Sequence, residues 1–152
     1  MLNRKQLKHK IFMCMARDIA SLSTCSRRQV GCIITDAHGV VIGSGFNGSM
    51  SGQPHCVETN PKGDKEKCFC LHAEVNAIMN ADTTRTYRTG NDYTAYVTTF
   101  PCDSCMKLLV AFGVTTVVYD TQYRYFESSL RVAKYYGVEV LDAQNYMERK
   151  DV

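Results

Sequence analysis

Two short stretches of the chain carry residue types that could do chemistry together: His72-Ala73-Glu74 and Pro101-Cys102-Asp103-Ser104-Cys105. Cys102 and Cys105 are spaced so that a helix places one above the other on a single face. Pro101 suits the mouth of that helix. A helix N-terminus lowers thiol pKa and favours the thiolate that a metal requires. His72 and Glu74 have a spacing that a regular helix sends to nearly opposite sides. They serve one site only if it lies over the helix end, so the geometry calls for two helix starts converging on one metal. Three protein ligands, His72, Cys102 and Cys105, leave the fourth position of a tetrahedral zinc open, as in catalytic rather than structural sites. Glu74 is then a carboxylate beside the site but off the metal, the place for a general acid and base. Each half alone is weak, since a lone Cys-x-x-Cys suits a redox pair and a lone His-x-Glu is common by chance. Together, in this order, they describe a hydrolytic metal centre.

The elements that must position these residues can be read from periodicity. The stretch from Leu2 to Ala20 repeats apolar residues at Leu7, Ile11, Met15 and Ile19, with Phe12, Ala16 and Ala20 beside them, and reads as a helix with a broad apolar face. Cys14, within it, reads as a small buried hydrophobe. Val30 to Thr35 is β-branched and apolar, Asp36 to Gly39 is a turn with His38 exposed, and Val40 to Ser44 returns as a second strand. Cys32, in the first strand, is expected in the core. Residues 45–70 are rich in Gly, Ser, Asn, Pro and charge and form a long irregular loop, of the kind that is functional or held by something local. Leu71 to Met79 follows as a short helix with Val75, Ile78 and Met79 inward, then a polar turn over 80–92 and a strand from Tyr93 to Phe100. A helix over Asp103 to Phe112, a strand over Val114 to Tyr119, a helix over Tyr125 to Tyr136 and a short strand over Val138 to Leu141 complete the pattern, ahead of a polar tail over 142–152. Two adjacent strands followed by strand–helix alternation imply an α/β fold: one domain over 1–152, core about 2–141, with a mixed five-stranded sheet and helices on both faces in three layers.

Composition narrows the class. The chain has 152 residues, of which 45% are hydrophobic and 22% charged, as in soluble globular proteins. The apolar run Ile11 to Ala16 is too short for a membrane span or a secretory leader, so a cytoplasmic location is expected, that of the host if the source is viral. A net charge of +3 is mild for a protein that lives on nucleic-acid phosphates. Basic residues cluster at Arg27-Arg28 and over Lys62 to Lys67, where Asp64 and Glu66 interrupt the run and favour a solvated loop. Neither a membrane nor a nucleic-acid partner is expected, whereas a small phosphorylated ligand needs only one or two cations. Eight cysteines, without a secretory context, point to metal binding or catalysis rather than disulfides.

His72-Ala73-Glu74 followed by Pro101-Cys102 and Cys105 resembles the cytidine/deoxycytidylate deaminase superfamily. Its deoxycytidylate branch is resembled further by the stretches 23–31 (Ser-Thr-Cys-Ser-Arg-Arg-Gln-Val-Gly), Gly45-Phe46-Asn47-Gly48, 72–78 and 96–102. Many relatives carry Tyr or Trp where Phe46 stands. The likeness extends from the first helix to Leu141. It implies a cytidine-deaminase-like fold, a catalytic Zn2+, and hydrolysis of dCMP to dUMP and ammonia, which supplies thymidylate synthesis. It also implies that Asn47 bonds the nucleotide near its sugar, that Asn76 orders the site and that Tyr123 faces the substrate. Arg27 or Arg28 would meet the 5′-phosphate, whose oxygens suit an arginine fork. Family likeness further implies a homo-oligomer, a hexamer by preference, activated by dCTP and inhibited by dTTP. Mg2+ would accompany the triphosphate, and Gly45, Phe46, Asn47 and Gly48 would lie at the effector site.

A second metal is a separate expectation. Cys25, Cys56, Cys68 and Cys70, with His55, lie in loops outside the catalytic set, and a closed four-ligand zinc would anchor the long loop. Cys25, Cys56 and Cys68 are expected as ligands, with His55 or Cys70 as the fourth; the alternative is free thiols. Competing functions are a tRNA adenosine deaminase, which should carry a basic surface and lack the Cys-rich loop, and a non-catalytic zinc or nucleotide-binding module, which has no use for Glu74. A free-nucleoside cytidine deaminase usually has Cys where His72 stands.

Overall fold

The computed structural model describes residues 1–85 and 91–147. Helix α1 (Arg4–Ala20) is opened by a reciprocal cap, in which the Asn3 side chain accepts from the Gln6 N–H at 2.9 Å and the Gln6 side chain accepts from the Asn3 N–H at 3.0 Å. The β-branched runs then form β1 (Gly31–Thr35) and β2 (Val41–Phe46), an antiparallel hairpin. Its turn is held by Asp36, whose carboxylate accepts from the His38 and Val40 N–H groups at 2.9 Å each and from Arg85 Nε at 2.8 Å. After α2 (Cys56–Thr59) and a 3-10 turn at Lys65–Lys67 come α3 (Ala73–Met79), β3 (Tyr93–Thr99), α4 (Asp103–Phe112), β4 (Val114–Thr121), α5 (Phe126–Tyr135), β5 (Glu139–Asp142) and a short α6 (Gln144–Met147).

The five strands make one mixed sheet in the order β2-β1-β3-β4-β5. β1 is antiparallel to both β2 and β3, whereas β3, β4 and β5 run parallel. Alternation along the strands splits the core in two. Ile33, Tyr96 and Val118 pack on one face with Met13 and Ala16 of α1 and with Met147 of α6. Cys32, Ile34, Ala95, Val97 and Val117 pack on the other with residues of α3, α4 and α5. The expected α/β architecture, a mixed sheet covered on both faces, is what is observed.

Two helix faces differ from the periodicity reading. In α1 the buried residues are His9, Met13, Ala16 and Ala20, while Leu7, Ile11 and Met15 are exposed, and Cys14 is only half-buried. Apolar residues cover much of this helix, so their spacing does not single out a face. Close approach does: a Cβ on Gly31 would stand 2.0 Å from the Ala16 carbonyl oxygen and 2.7 Å from the Ala20 nitrogen. The helix therefore turns its small residues to the sheet. The same constraint acts on α3, which buries Ala73, Glu74 and Ala77 against Gly45 of β2, where a Cβ would lie 2.4 Å from the Ala77 nitrogen. Val75 and Ile78 are half-buried and Met79 is exposed, contrary to their expected inward placement. The long loop contains α2, the 3-10 turn and a bridge from Gly48 to Leu71. The polar turn expected over 80–92 lies outside the described residues at 86–90, as does the expected polar tail at 148–152; the start of that tail instead joins the core, where Ala143 is fully buried and Met147 of α6 packs, so the core extends past residue 141. No helix among the described residues is long and apolar enough to cross a membrane.

Gly31→Ala is expected to destabilise the fold by about 2 kcal/mol or more, because backbone on both sides must separate. Met13→Ala should cost about 2–5 kcal/mol and Ile11→Gln less than about 0.5 kcal/mol. Urea unfolding of the three variants measures all three values, and equal losses for Met13 and Ile11 would contradict the assigned face of α1.

Candidate active site

The first turns of α3 and α4 meet above the sheet. His72 is the N-cap of α3 and Cys102 the N-cap of α4, both with extended backbone, and neither side chain bonds to the N–H groups of its own helix. Side chains that would otherwise close a helix end instead face each other. His72 Nδ1 lies 3.7 Å from Cys102 Sγ and 3.3 Å from Cys105 Sγ. Zinc bonds of about 2.3 Å to sulfur and about 2.0 Å to nitrogen place tetrahedral ligands about 3.5 Å apart, so the three donors fit that ion. The start of α4 is fixed from below, where Asp103 accepts a hydrogen bond from Ser128 of α5.

The electrostatics of this set favour a cation. The Cys102 thiol is lowered to about 4, first by its hydrogen bond with Cys105 and then by that with His72. Cys105 is pushed up by the same thiolate neighbour and by burial. These hydrogen bonds favour a thiolate at Cys102, the form that a metal requires. Glu74, 4% exposed, is raised to about 7 by burial, with the charge on His72 acting in the opposite direction. It belongs to the first turn of α3 and lies next to the ligand set without being one of the three donors.

A second cluster stands nearby. The Sγ atoms of Cys25, Cys56, Cys68 and Cys70 all lie within 4.8 Å of one another. Cys25 and Cys68 are 3.8 Å apart, which matches the separation of about 3.8 Å between sulfurs of a four-thiolate zinc. The fourth member is Cys70; His55, the other candidate, is the exposed N-cap of α2 and stands outside the cluster. Hydrogen-bond donors point at these sulfurs. The Arg27 N–H donates to Cys25 Sγ at 3.5 Å, and the Ser26 hydroxyl lies 3.3 Å from Cys56 Sγ. The Ser26 hydroxyl and N–H hold Cys56 down at about 7.

Between the clusters opens a pocket of about 460 Å³. Glu74, His72 and Cys102 line one part of it, and Cys25, Cys68 and Cys70 another. Among the described residues, the cations Arg27, Arg28, Lys65 and Arg124 share the wall with a single carboxylate, Glu74. The Arg28 guanidinium lies over the Tyr123 ring at 4.9 Å from its centroid. Lys65 and Arg124 were missed by the sequence reading. Lys65 sits in the run assigned to solvent, and Arg124 had only its neighbour Tyr123 to draw attention to it.

The remaining candidates are placed as follows. Asn47 lines the pocket, but its side chain is engaged with the chain itself: Oδ1 accepts from Val30 N–H at 2.8 Å and from Ser23 Oγ at 2.6 Å, and Nδ2 donates to the Arg28 carbonyl at 2.6 Å. It braces the segment that carries both arginines. Asn76 is away from the pocket lining and donates to the Phe46 carbonyl at 2.9 Å, tying α3 to the end of β2. Gly45, Asn47 and Gly48 are buried and Phe46 half-buried.

Comparison with known proteins agrees with this geometry. The cytidine and deoxycytidylate deaminase zinc-binding region matches residues 6–121. The chain belongs to the cytidine and deoxycytidylate deaminase family. Within that family it is similar to the deoxycytidylate deaminase of Saccharomyces cerevisiae, with 36% identity over 137 residues, which are 85% of this chain and 42% of the yeast protein. It is also similar to the deoxycytidylate deaminase of Mycobacterium phage D29, with 32% identity, covering 73% of this chain and 92% of the phage protein. Among solved structures, the dCMP deaminase of cyanophage S-TIM5 in complex with dCMP and dUMP superposes with a TM-score of 0.75 at 27% identity, over 93% of this chain and 99% of that one. The chain thus spans less than half the length of the yeast family member and nearly all of the phage ones.

Asn47→Ala removes the partner of two donors and a carbonyl in one step. It is expected to destabilise the protein by about 2 kcal/mol, read as a fall in thermal midpoint. Unchanged unfolding with weakened ligand binding alone would place Asn47 on the ligand instead.

Proposed function

We propose that the chain is the catalytic domain, over 1–152, of a zinc-dependent deaminase that converts dCMP and water to dUMP and ammonia. The observation that carries this reading is Glu74: a carboxylate closed off from solvent, raised to about 7, beside three donors with the spacing of an open zinc site. A solved relative similar over nearly the whole chain was crystallised with dCMP and dUMP.

His72, Cys102 and Cys105 would hold the zinc. When bound, the metal supplies Lewis acidity that makes water nucleophilic near neutral pH. Glu74 accepts a proton from the attacking water and delivers it to the ring nitrogen, so that the new C–O bond forms at C4 as the ring takes up the proton. Glu74 then passes the second water proton to the exocyclic nitrogen, the C4–N bond breaks, and ammonia leaves. A pKa near 7 suits a group that must both take and give that proton. Arg27, Arg28, Lys65 and Arg124 favour a phosphorylated substrate over a free nucleoside, Tyr123 offers a ring beside Arg28, and Asn47 and Asn76 hold the pocket's backbone in place.

The same reading extends to the rest of the molecule. Cys25, Cys56, Cys68 and Cys70 hold a second, structural zinc, supported by their mutual distances. Regulation by dCTP and dTTP with Mg2+, a hexameric assembly and a role in dUMP supply rest on the family resemblance, and a cytoplasmic location on the short apolar run Ile11 to Ala16. Gly45, Asn47 and Gly48 are buried, so an effector would engage that segment through its half-buried Phe46.

Side-by-side assays with dCMP, deoxycytidine and a tRNA anticodon stem test the substrate, and dCMP is expected to be turned over best. Turnover confined to the RNA would overturn the proposal. Glu74→Gln is expected to lower kcat by at least about a thousandfold while zinc content and thermal midpoint are kept. Retained activity in that variant would refute the role given to Glu74.

A further inference from the structure

We infer that occupancy of the four-cysteine site by zinc sets the preference for a phosphorylated over an unphosphorylated substrate. The inference rests on the proposed nucleotide deaminase activity and adds a specific task for the second metal, which is to hold the cationic wall of the pocket in place.

The segment that contributes Lys65 to this wall has almost no core of its own. Across residues 49–71 the buried residues are Cys56 and Asn60. Asn60 is spent on local bonds, with Nδ2 donating to the Asp64 carbonyl at 2.9 Å and Oδ1 accepting from the Asp64 N–H at 3.0 Å. The segment joins the sheet region through the Gly48–Leu71 bridge and reaches the 23–28 stretch through Val57 N–H to the Thr24 carbonyl at 3.0 Å. So long an excursion needs a local anchor, and the four sulfurs are placed to be one.

The cations are fastened to these sulfurs by short links. Arg27 gives its own N–H to Cys25 Sγ at 3.5 Å, and Arg28 is the next residue. Lys65 opens the 3-10 turn that ends at Cys68, whose N–H donates to the Lys65 carbonyl at 3.3 Å. One ion bound by Cys25, Cys56, Cys68 and Cys70 would therefore fix Arg27, Arg28 and Lys65 relative to one another, although they come from distant parts of the sequence. Four thiolates around a divalent ion carry negative charge, which opposes a phosphate. The favourable contribution of the metal is therefore geometric: three cations held in one arrangement lose less freedom when they close on an anion. The catalytic ligands depend on this segment less, because the helices that begin at His72 and Cys102 pack into the main core.

Cys56 is the ligand that does not line the pocket, so Cys56→Ser leaves the pocket wall chemically unchanged. Zinc per chain, and kcat/KM for dCMP and for deoxycytidine, are measured on the wild type and the variant, with calorimetric binding of dCMP and deoxycytidine to both. Zinc is expected to fall from two per chain to one. The kcat/KM for dCMP should fall about tenfold or more, while that for deoxycytidine stays within about threefold, and the binding ratio of the two ligands should shrink in parallel. If Cys56→Ser does not fold, Cys56→Asp replaces the thiolate with a carboxylate ligand on a side chain of similar size. Adding zinc to it should raise the dCMP-to-deoxycytidine ratio in step with the second equivalent bound. Equal losses for both substrates, an unchanged ratio after the second zinc has gone, or one zinc per wild-type chain would each overturn the inference. Failure of wild-type protein to deaminate either compound would instead overturn the proposed activity, and the two binding constants would still report on phosphate preference.

Discussion

Three donor atoms from two helix starts must stand within a few tenths of an ångström of their tetrahedral separations, and most of the architecture can be understood as the means of holding them there. His72 reaches the centre from the end of a loop, and Cys102 and Cys105 reach it from the chain that leaves β3. Neither helix has a polar cap of its own at that point. Precision comes instead from packing. α3 lies against β2 so closely that Gly45 tolerates no side chain, Asn76 pins it to the Phe46 carbonyl, and Asp103 with Ser128 ties the start of α4 to α5. Donor atoms preorganised in this way keep their geometry because their supports belong to the core.

The pocket combines two environments that oppose each other electrically. At the bottom Glu74 is dry and its proton is easily held or released near neutral pH. At the rim Arg27, Arg28, Lys65 and Arg124 make a positive field that favours an anion. A ligand with a hydrogen-bonding ring edge and a charged tail satisfies both environments in one orientation. The separation between acid and cations matters, because a guanidinium in contact with Glu74 would pull its pKa back down.

The main elements of the fold were legible where hydrophobic period and turn residues mark them, and α4 spans Asp103 to Phe112 in both readings, whereas α2 and α6 are too short to show a period and lie in stretches read as loop and tail. The convergence of His72, Cys102 and Cys105 was equally legible, since residues of these types seldom stand together for another reason. What could not be read was direction. Leu7, Ile11 and Met15 form as regular a stripe as His9, Met13, Ala16 and Ala20, and the choice between them is made by Gly31, which belongs to another element. Lys65 was hidden for a related reason. Its neighbours Asp64 and Glu66 give it the look of a solvated loop, and only the folding of Cys68 onto Cys25 brings it to the pocket. The choice between His55 and Cys70 as a cluster member likewise depended on where the loop returns to the sheet.

That return has its own consequence. Leu71 is clamped to Gly48 by two backbone hydrogen bonds, of 3.2 and 2.9 Å, and His72 continues in extended conformation. Alternate residues of extended chain point the same way, so Cys70 and His72 both face the pocket across a spacer of one residue. Adding or removing a residue there would turn one thiol or one imidazole to the opposite side. The exposed stretches around 51–55 and 61–62 can change length without turning either side chain, whereas the tripeptide 70–72 works as a ruler between thiol and imidazole.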